Sequence, residues 1–214
     1  MIDDHPLMRA GMARVLGMED DLEFCGELGS GRGAVDVLLD LQPDVVLLDL
    51  SLKDCSGLEL IKDFRAAGIK SAILVISMHD EVLYTERVLR AGANGYLMKE
   101  EAADKVVEGI RALLRGEIFL SEKMKGVMLH SMVGRNQSQG DGNSLSLLTD
   151  REFEVFELIG KGMPPRVIAE NLGISPKTVD AHRAHIKDKL GFLSGSELLR
   201  YAVRWVETGA SERE

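Results

Sequence analysis

The chain has 214 residues, 45% hydrophobic and 29% charged, the balance of an ordinary globular protein with room for two modest domains. No apolar run reaches the roughly 18 residues of a membrane span, and Cys25 and Cys55, the only cysteines, form no CxxC pair. This composition argues against a membrane protein, a disulfide framework and a cysteine zinc site, and a cytoplasmic protein with no membrane partner is expected. The net charge of -9 is unevenly shared: residues 1–130 carry 15 Lys and Arg against 23 Asp and Glu, residues 149–214 carry 10 against 11. The first half repels nucleic acid and the second is nearly neutral, so charge alone assigns no DNA binding.

The chain opens "MIDDHP", with Asp3 and Asp4 adjacent and only Met1 and Ile2 before them. Neighbouring carboxylates repel, and such a pair calls for a cation. From there short apolar runs alternate with amphipathic stretches. "EFCGEL" (23–28), "DVVLLDL" (44–50), "SAILVIS" (71–77) and "GYLMK" (95–99) read as strands. "VVLL" and "AILVI" are apolar throughout, as in parallel strands covered on both faces. Helices are expected near 6–17, 31–41, 57–67, 81–91 and 101–115; in the first, Met8, Met12, Val15 and Leu16 form one stripe. The alternation predicts a doubly wound, flavodoxin-like α/β domain with its crevice at the carboxyl ends of the strands.

After Gly116 the pattern changes. "EIFLSEKMKGVMLHSMV" reads as one more short helix, and "GRNQSQGDGNS" (134–144) as a flexible linker without periodicity. Beyond Thr149 only helical patterns occur, near 149–161, 165–172, 176–190 and 195–207. Domains are therefore expected at 1–117 and 145–210, with 118–144 as the connection.

Carboxylates fall at strand ends: Asp3 and Asp4 after the first apolar residues, Asp49 closing "VVLLD". Ser77 closes the next strand and Lys99 the one after. Clustered carboxylate oxygens suit a hard cation such as Mg2+, and a hydroxyl and an ammonium beside one carboxylate suit a phosphoryl group. Singly, each has a plainer reading: a helix cap for Asp4, a surface lysine for Lys99, a half-buried strand aromatic for Tyr96.

The pieces "DDHP", "VVLLDLSLKDCSGLEL", "VISMH" and "AGANGYLMK" resemble the receiver domain of bacterial response regulators across essentially all of residues 2–115. The resemblance implies that Asp49 accepts a phosphoryl group from a sensor histidine kinase. It further implies that Asp4 ligates Mg2+ directly, that Asp3 acts mainly through water, and that the Ser51 carbonyl and Asp49 complete the ligand set. Ser77 would bond the new phosphoryl oxygen, Lys99 would pair with it, and Tyr96 would be the switch that turns inward as Ser77 moves. The chain departs from the family in two places. Lys53 stands four residues after the acceptor, where a proline is frequent, which changes the loop's stiffness and adds a positive charge near the site without abolishing the chemistry. The first strand, which belongs between the second and third, has only Met1 and Ile2 to build it, too few for a strand of about five residues. The expectation is a start-site error or a clipped terminus rather than a deliberate four-stranded sheet.

In the second half, "RVIAENL" leads through Gly173 and Ile174 to Ser175, an N-cap followed by Pro176 at the first helical position. Thr149 and Glu152 form a capping box for an earlier helix. Val179, Ile186 and Leu190 are expected to face the core, the geometry of a helix-turn-helix or of a plain helical hairpin. "LTDREFEVF" and "IAENLGISPKTVDAHRAHIKDKLG" resemble the LuxR-type DNA-binding domain, and the two halves together resemble the NarL/FixJ response regulators. On that resemblance Asp180, Ala181 and Ala184 lie on the base-reading face, where Ala methyls meet thymine methyls and Asp180 accepts from a cytosine amine. Lys177, Thr178, Arg183 and Lys187 are candidates for phosphate contacts, while His182 packs or bonds locally. A dimer on paired half-sites of double-stranded DNA is expected for the active form.

The resemblance implies a phosphorylation-controlled transcription factor, not an enzyme. The rival readings are a phosphorylation-independent regulator with a degraded receiver, an aspartate-nucleophile phosphatase, and a small-molecule-sensing regulator. The phosphatase would need a second acid where Ser51 stands; the sensor would need a different amino-terminal domain.

Overall fold

The computed structural model describes residues 1–78, 81–132, 145 and 147–211, which form two compact units, Met1–Arg135 and Asn136–Glu214. The segment 134–144, read above as a linker, lies outside the described residues.

In the first unit α1 (Pro6–Leu16), α2 (Ala34–Leu41), β1 (Val45–Leu48), α3 (Gly57–Ala66), β2 (Ala72–Ser77), α4 (Glu81–Ala91) and β3 (Gly95–Met98) follow in order. One turn of tighter helix (Lys99–Glu101) then leads into α5 (Ala102–Leu114), and α6 (Glu122–Met132) ends the unit. The strands pair in parallel in the order β1-β2-β3, with Leu47 opposite Leu74 and Val75 opposite Tyr96. Apolar β-branched residues fill both faces, because helices cover both. On one face Met12 and Leu16 of α1 and Val106, Ile110 and Leu113 of α5 bury Leu47, Leu74, Ile76 and Leu97. Met8 and Val15 pack against the same cluster, which completes the stripe expected along α1.

The sheet extends beyond its three regular strands at both edges. Ile2 bridges Leu28 on one side and Leu48 on the other, both in parallel. Its N–H donates to Leu47 O at 2.8 Å and its carbonyl accepts from Asp49 N–H at 2.9 Å, while Asp3 N–H and Leu28 N–H bond across to Leu28 O and Met1 O. Met1 and Ile2 thus do enter the central slot for which they looked too short, and Ile2 is buried there. The expected strand 23–28 is corrected: no regular strand forms there, and the run bridges Ile2 at Leu28, with Gly26 O accepting from the Met1 ammonium at 2.9 Å. At the far edge Phe119 pairs with Gly95, with Tyr96 N–H donating to Phe119 O at 2.9 Å. A Cβ at Gly95 would lie 2.8 Å from that carbonyl, so only glycine permits the approach. The helix expected within 117–133 begins only after this pairing, at Glu122. The helix expected from residue 31 starts at Ala34, since the N–H groups of Gly31 and Arg32 are held by the Asp54 carboxylate at 3.1 and 3.0 Å.

The second unit contains α7 (Asp150–Gly160), α8 (Pro165–Leu172), α9 (Pro176–Leu190) and α10 (Gly195–Ser211). The capping box forms as expected: Thr149 N–H donates to Glu152 Oε2 at 2.8 Å, and Glu152 N–H to Thr149 Oγ1 at 3.4 Å. α8 ends on Gly173 in the left-handed conformation, the Ser175 hydroxyl accepts from Thr178 N–H at 3.1 Å, and Pro176 opens α9. Phe153 and Phe156 of α7 pack on Trp205 of α10 with ring centroids 5.6 and 5.4 Å apart, anchoring the helix pair that supports α9.

Glu152 ties α7 to α9, its Oε2 accepting from Lys189 Nζ at 2.7 Å. Burial opposes ionisation, but the Lys189 ammonium and the Thr149 donors outweigh it and hold the carboxyl below its ordinary range. A depressed folded-state pKa contributes stability that is present above the ordinary glutamate pKa and lost as pH falls through the lowered one. Glu152→Ala is expected to cost about 1 kcal/mol at pH 7 through the lost carboxylate partners, Thr149 N–H and the Lys189 ammonium. That deficit should shrink toward acid pH, as urea unfolding at several pH values would show.

Candidate functional site: an acidic pocket and an exposed helix

The carboxyl ends of the strands place Asp3 and Asp4 after Ile2, Asp49 after β1, Ser77 at the end of β2 and Lys99 after β3. Asp3, Asp49 and Ser77 are 0%, 2% and 0% exposed, and Asp4 is 9% exposed. Three carboxylates at this depth would repel strongly without cations, and the pocket supplies them. Lys99 Nζ lies 2.6 Å from Asp49 Oδ2 and 3.0 Å from Asp3 Oδ2. Burial works against the ammonium, yet the hydrogen bonds to Asp49 and Asp3 and their charges prevail and raise its pKa.

The loop after Asp49 is held by its neighbours. Ser51 N–H donates to Asp49 Oδ1 at 3.1 Å, Ser51 pairs with Ser56, and Gly57 N–H donates to Leu50 O at 3.0 Å. A Cβ on Gly57 would stand 2.5 Å from Asp49 O, so the start of α3 rests directly against the backbone of the acidic residue. Ser51 has an exposed side chain, and its expected contribution is the backbone carbonyl. Tyr96 is 2% exposed, buried within the sheet.

Two further residues stand there: His5, given no role by the sequence reading, and Lys53, read as a positive charge added near the acceptor. His5 Nδ1 lies 3.0 Å from Asp3 Oδ1, 2.8 Å from Asp4 Oδ1 and 3.8 Å from Asp49 Oδ2. Lys53, at the position where proline is frequent, places Nζ 3.3 Å from Asp4 Oδ2 on an 81% exposed side chain. The only sequence signal for His5 is its adjacency to Asp4, and for Lys53 its proximity to Asp49 in the chain.

Asp3 Oδ2 and Asp4 Oδ1 are buried, and each is met by a cationic or polar group: Lys99 Nζ 3.0 Å from Asp3 Oδ2 and His5 Nδ1 2.8 Å from Asp4 Oδ1. Buried carboxylate oxygens in that state are cation acceptors. Asp3, Asp4, His5 and Asp49 each offer one ligand atom, all within 4.8 Å of one another, so the pocket fits a divalent ion.

In the second unit Lys177, Thr178, Asp180, Ala181 and Ala184 are exposed along one side of α9, while Arg183 and Lys187 are half-buried. Arg183 Nη1 is 3.6 Å from Asp180 Oδ1, one turn away. Val179 and Ile186 are buried beneath them, and Leu190, expected in the core, is only half-buried because it ends the helix. His182 is partly buried, and burial lowers the pKa of its ring.

A family model described as the response regulator receiver domain matches residues 1–111, and one described as bacterial regulatory proteins, luxR family, matches residues 146–202. A nitrate/nitrite response regulator protein homolog of Haemophilus influenzae is 36% identical over 190 residues, covering 89% of this chain and 88% of that one. The oxygen regulatory protein NreC of Staphylococcus carnosus is 34% identical over 207 residues, 94% of each chain. Among solved structures, RcsB of Salmonella enterica serovar Typhimurium, bound to the promoter P1flhDC with a beryllofluoride phosphomimetic, superposes with a TM-score of 0.68 at 25% identity, covering 94% of this chain and 95% of that one.

Proposed function

The chain belongs to the two-component response regulators that join a receiver domain to a LuxR-type DNA-binding domain, and we propose that phosphoryl transfer to Asp49 controls how α9 engages DNA. Such a regulator is a transcription factor rather than an enzyme. The observation that carries the residue assignments is the pocket itself, with Asp49 buried against Lys99 and beside two cation-seeking carboxylates. An intact pocket of this kind disfavours a phosphorylation-independent regulator with a degraded receiver.

Asp49 is the nucleophile: a carboxylate oxygen attacks phosphorus, the P–N bond to the kinase histidine breaks, and that nitrogen keeps the electron pair. Asp3, Asp4 and Asp49 with the Ser51 carbonyl would hold Mg2+, which neutralises the phosphoryl oxygens when bound. The product adds about two negative charges at pH 7. Lys99 then shifts its pairing toward the phosphoryl group, and Ser77, buried at the end of β2, supplies a hydroxyl. Tyr96 follows Ser77 as the switch. Tyr96 N–H is bonded to Phe119 O, so the strand that carries the switch is joined to the segment that leads into α6.

We assign the receiver to residues 1–117, the connection to 118–144 and the DNA-binding domain to 145–210. α9 enters the major groove with Asp180, Ala181 and Ala184 toward the bases and Lys177, Thr178, Arg183 and Lys187 toward phosphates. The promoter-bound RcsB structure supports this reading. The active form is a homodimer, acting in the cytoplasm with a sensor histidine kinase as its donor.

The test is DNA binding by the full chain with and without acetyl phosphate and Mg2+, which should tighten it. Lys177→Ala is expected to weaken binding to all sequences alike and to reduce the salt slope by about one. Asp180→Ala should relax preference at one base pair, worth about 1–3 kcal/mol. Fluorescence anisotropy on operator variants at several salt concentrations separates the two.

A further inference from the structure

We propose that the Thr85 hydroxyl of α4 is a latch of the phosphorylation switch: it has no partner in the resting receiver and is taken up by the Tyr96 hydroxyl once Asp49 is phosphorylated. The inference rests on the switch reading given above and adds to it a positioning residue on a helix that covers the sheet.

Thr85 is fully buried, and its Oγ1 has no hydrogen-bond partner among the described residues. A helical threonine can return its hydroxyl to a carbonyl one turn back, and a buried hydroxyl that pairs with nothing destabilises the state that holds it. Its surroundings follow from the strand pattern. Leu74, Ile76 and Leu97 face the cluster under α1 and α5, so the alternate residues Val75, Ser77 and Tyr96 face the other side. There α4 packs on α3 and β3, with Tyr84, Thr85 and Val88 buried.

Among the β2 and β3 positions on that face only Ser77 and Tyr96 carry polar side chains. Ser77 is drawn to the phosphoryl group, which leaves the Tyr96 phenol to meet Thr85 as it follows. α4 is held at its other end. Arg65 Nε and Nη2 donate to Gly92 O at 3.0 and 2.8 Å, and Nη1 donates to Ile69 O at 2.7 Å. That clamp fixes the carboxyl end of α4 to the end of α3, and Thr85 lies in the amino-terminal half. The unpaired hydroxyl raises the resting state alone, so a minor population of unphosphorylated molecules is already switched, and phosphorylation shifts a balance that this hydroxyl has brought closer to even.

Thr85→Val in the full chain tests this, since valine keeps the shape and removes the hydroxyl. The variant should have a higher urea midpoint, because a methyl in place of an unpaired hydroxyl removes a desolvation cost. DNA affinity of the unphosphorylated variant should fall about fivefold or more, the factor matching the lower end of that cost, because apparent affinity scales with the switched population. Intact mass should still show one phosphoryl group after acetyl phosphate and Mg2+. Thr85→Ser, which keeps the hydroxyl, should bind DNA as the natural chain does. In a Tyr96→Phe background the partner is missing from both states, and Thr85→Val should leave DNA affinity unchanged. A position that is merely poorly packed would move the urea midpoint without moving DNA affinity. A lower midpoint or failure to fold for Thr85→Val, natural DNA affinity of that variant, equal weakness of Thr85→Ser, or the same loss in the Tyr96→Phe background overturns the proposal. Absence of labelling in the natural chain would count against the Asp49 assignment and leave these resting-state comparisons readable.

Discussion

Asp49→Asn is expected to abolish labelling of the full chain by acetyl phosphate in Mg2+ and to remove the response of its DNA affinity to the phosphodonor. The amide has the shape of the carboxylate but no nucleophilic anion. The neighbouring acids do not substitute readily. Asp3 is fully buried, and one of its oxygens already accepts both the N–H and ring of His5. Asp4 lies between His5 and Lys53. Asp49 has its backbone fixed from two directions, by Gly57 packed on its carbonyl and by its N–H bonded to Ile2 O. Attack requires the nucleophile within a few tenths of an ångström of its productive position, and that pinning supplies it. Intact mass after incubation reads the phosphoryl group directly, and circular dichroism verifies that the variant folds. Labelling of Asp49→Asn equal to that of the natural chain would move the acceptor elsewhere.

What could be read beforehand divides by the range of the interactions involved. β1 and β2 were legible because strands covered on both faces must be apolar at every position, and "VVLL" and "AILVI" are. The capping box at Thr149 and Glu152 and the Ser175–Pro176 start of α9 were legible because caps act within four residues. Glu23–Leu28 was not, since pairing depends on a partner: the same residues ladder only where Met1–Asp3 stands beside them. Phe119 was missed for a related reason. Its bridge to Gly95 depends on the absence of a side chain some two dozen residues away. The convergence of Asp3, Asp4, Asp49 and Lys99 follows from placing acids and a lysine at successive strand ends. The charge of Lys53 near the acceptor was legible from its place four residues after Asp49, but His5 lies where no periodicity sets the direction of a side chain, so its approach to the carboxylates emerges only from the folded backbone.

Lys99→Met is expected to destabilise the metal-free receiver by about 3 kcal/mol, the lower end for removing one partner of a buried ion pair. The lysine is the one pocket cation that is itself well buried, with a side chain 10% exposed against 61% for His5 and 81% for Lys53. Water screens those two, so neither replaces an ammonium 2.6 Å from Asp49. Without it three buried carboxylates face each other with little compensation. Mg2+ should then restore much of the loss, because an ion that binds the folded state alone stabilises it by about 2.7 kcal/mol at a hundredfold excess over its dissociation constant. The raised pKa of Lys99 fixes the pH at which to measure. A raised value means that the contribution is complete below the ordinary lysine pKa and lost only as pH rises through the raised one. Urea unfolding at pH 7 therefore reads the whole effect. A variant as stable as the natural chain without Mg2+ would show that the pocket tolerates its three acids unaided. A variant that is destabilised, rescued by Mg2+, still labelled at Asp49 and yet unresponsive in DNA binding would separate the two duties of Lys99: neutralising the resting pocket and reporting the phosphoryl group.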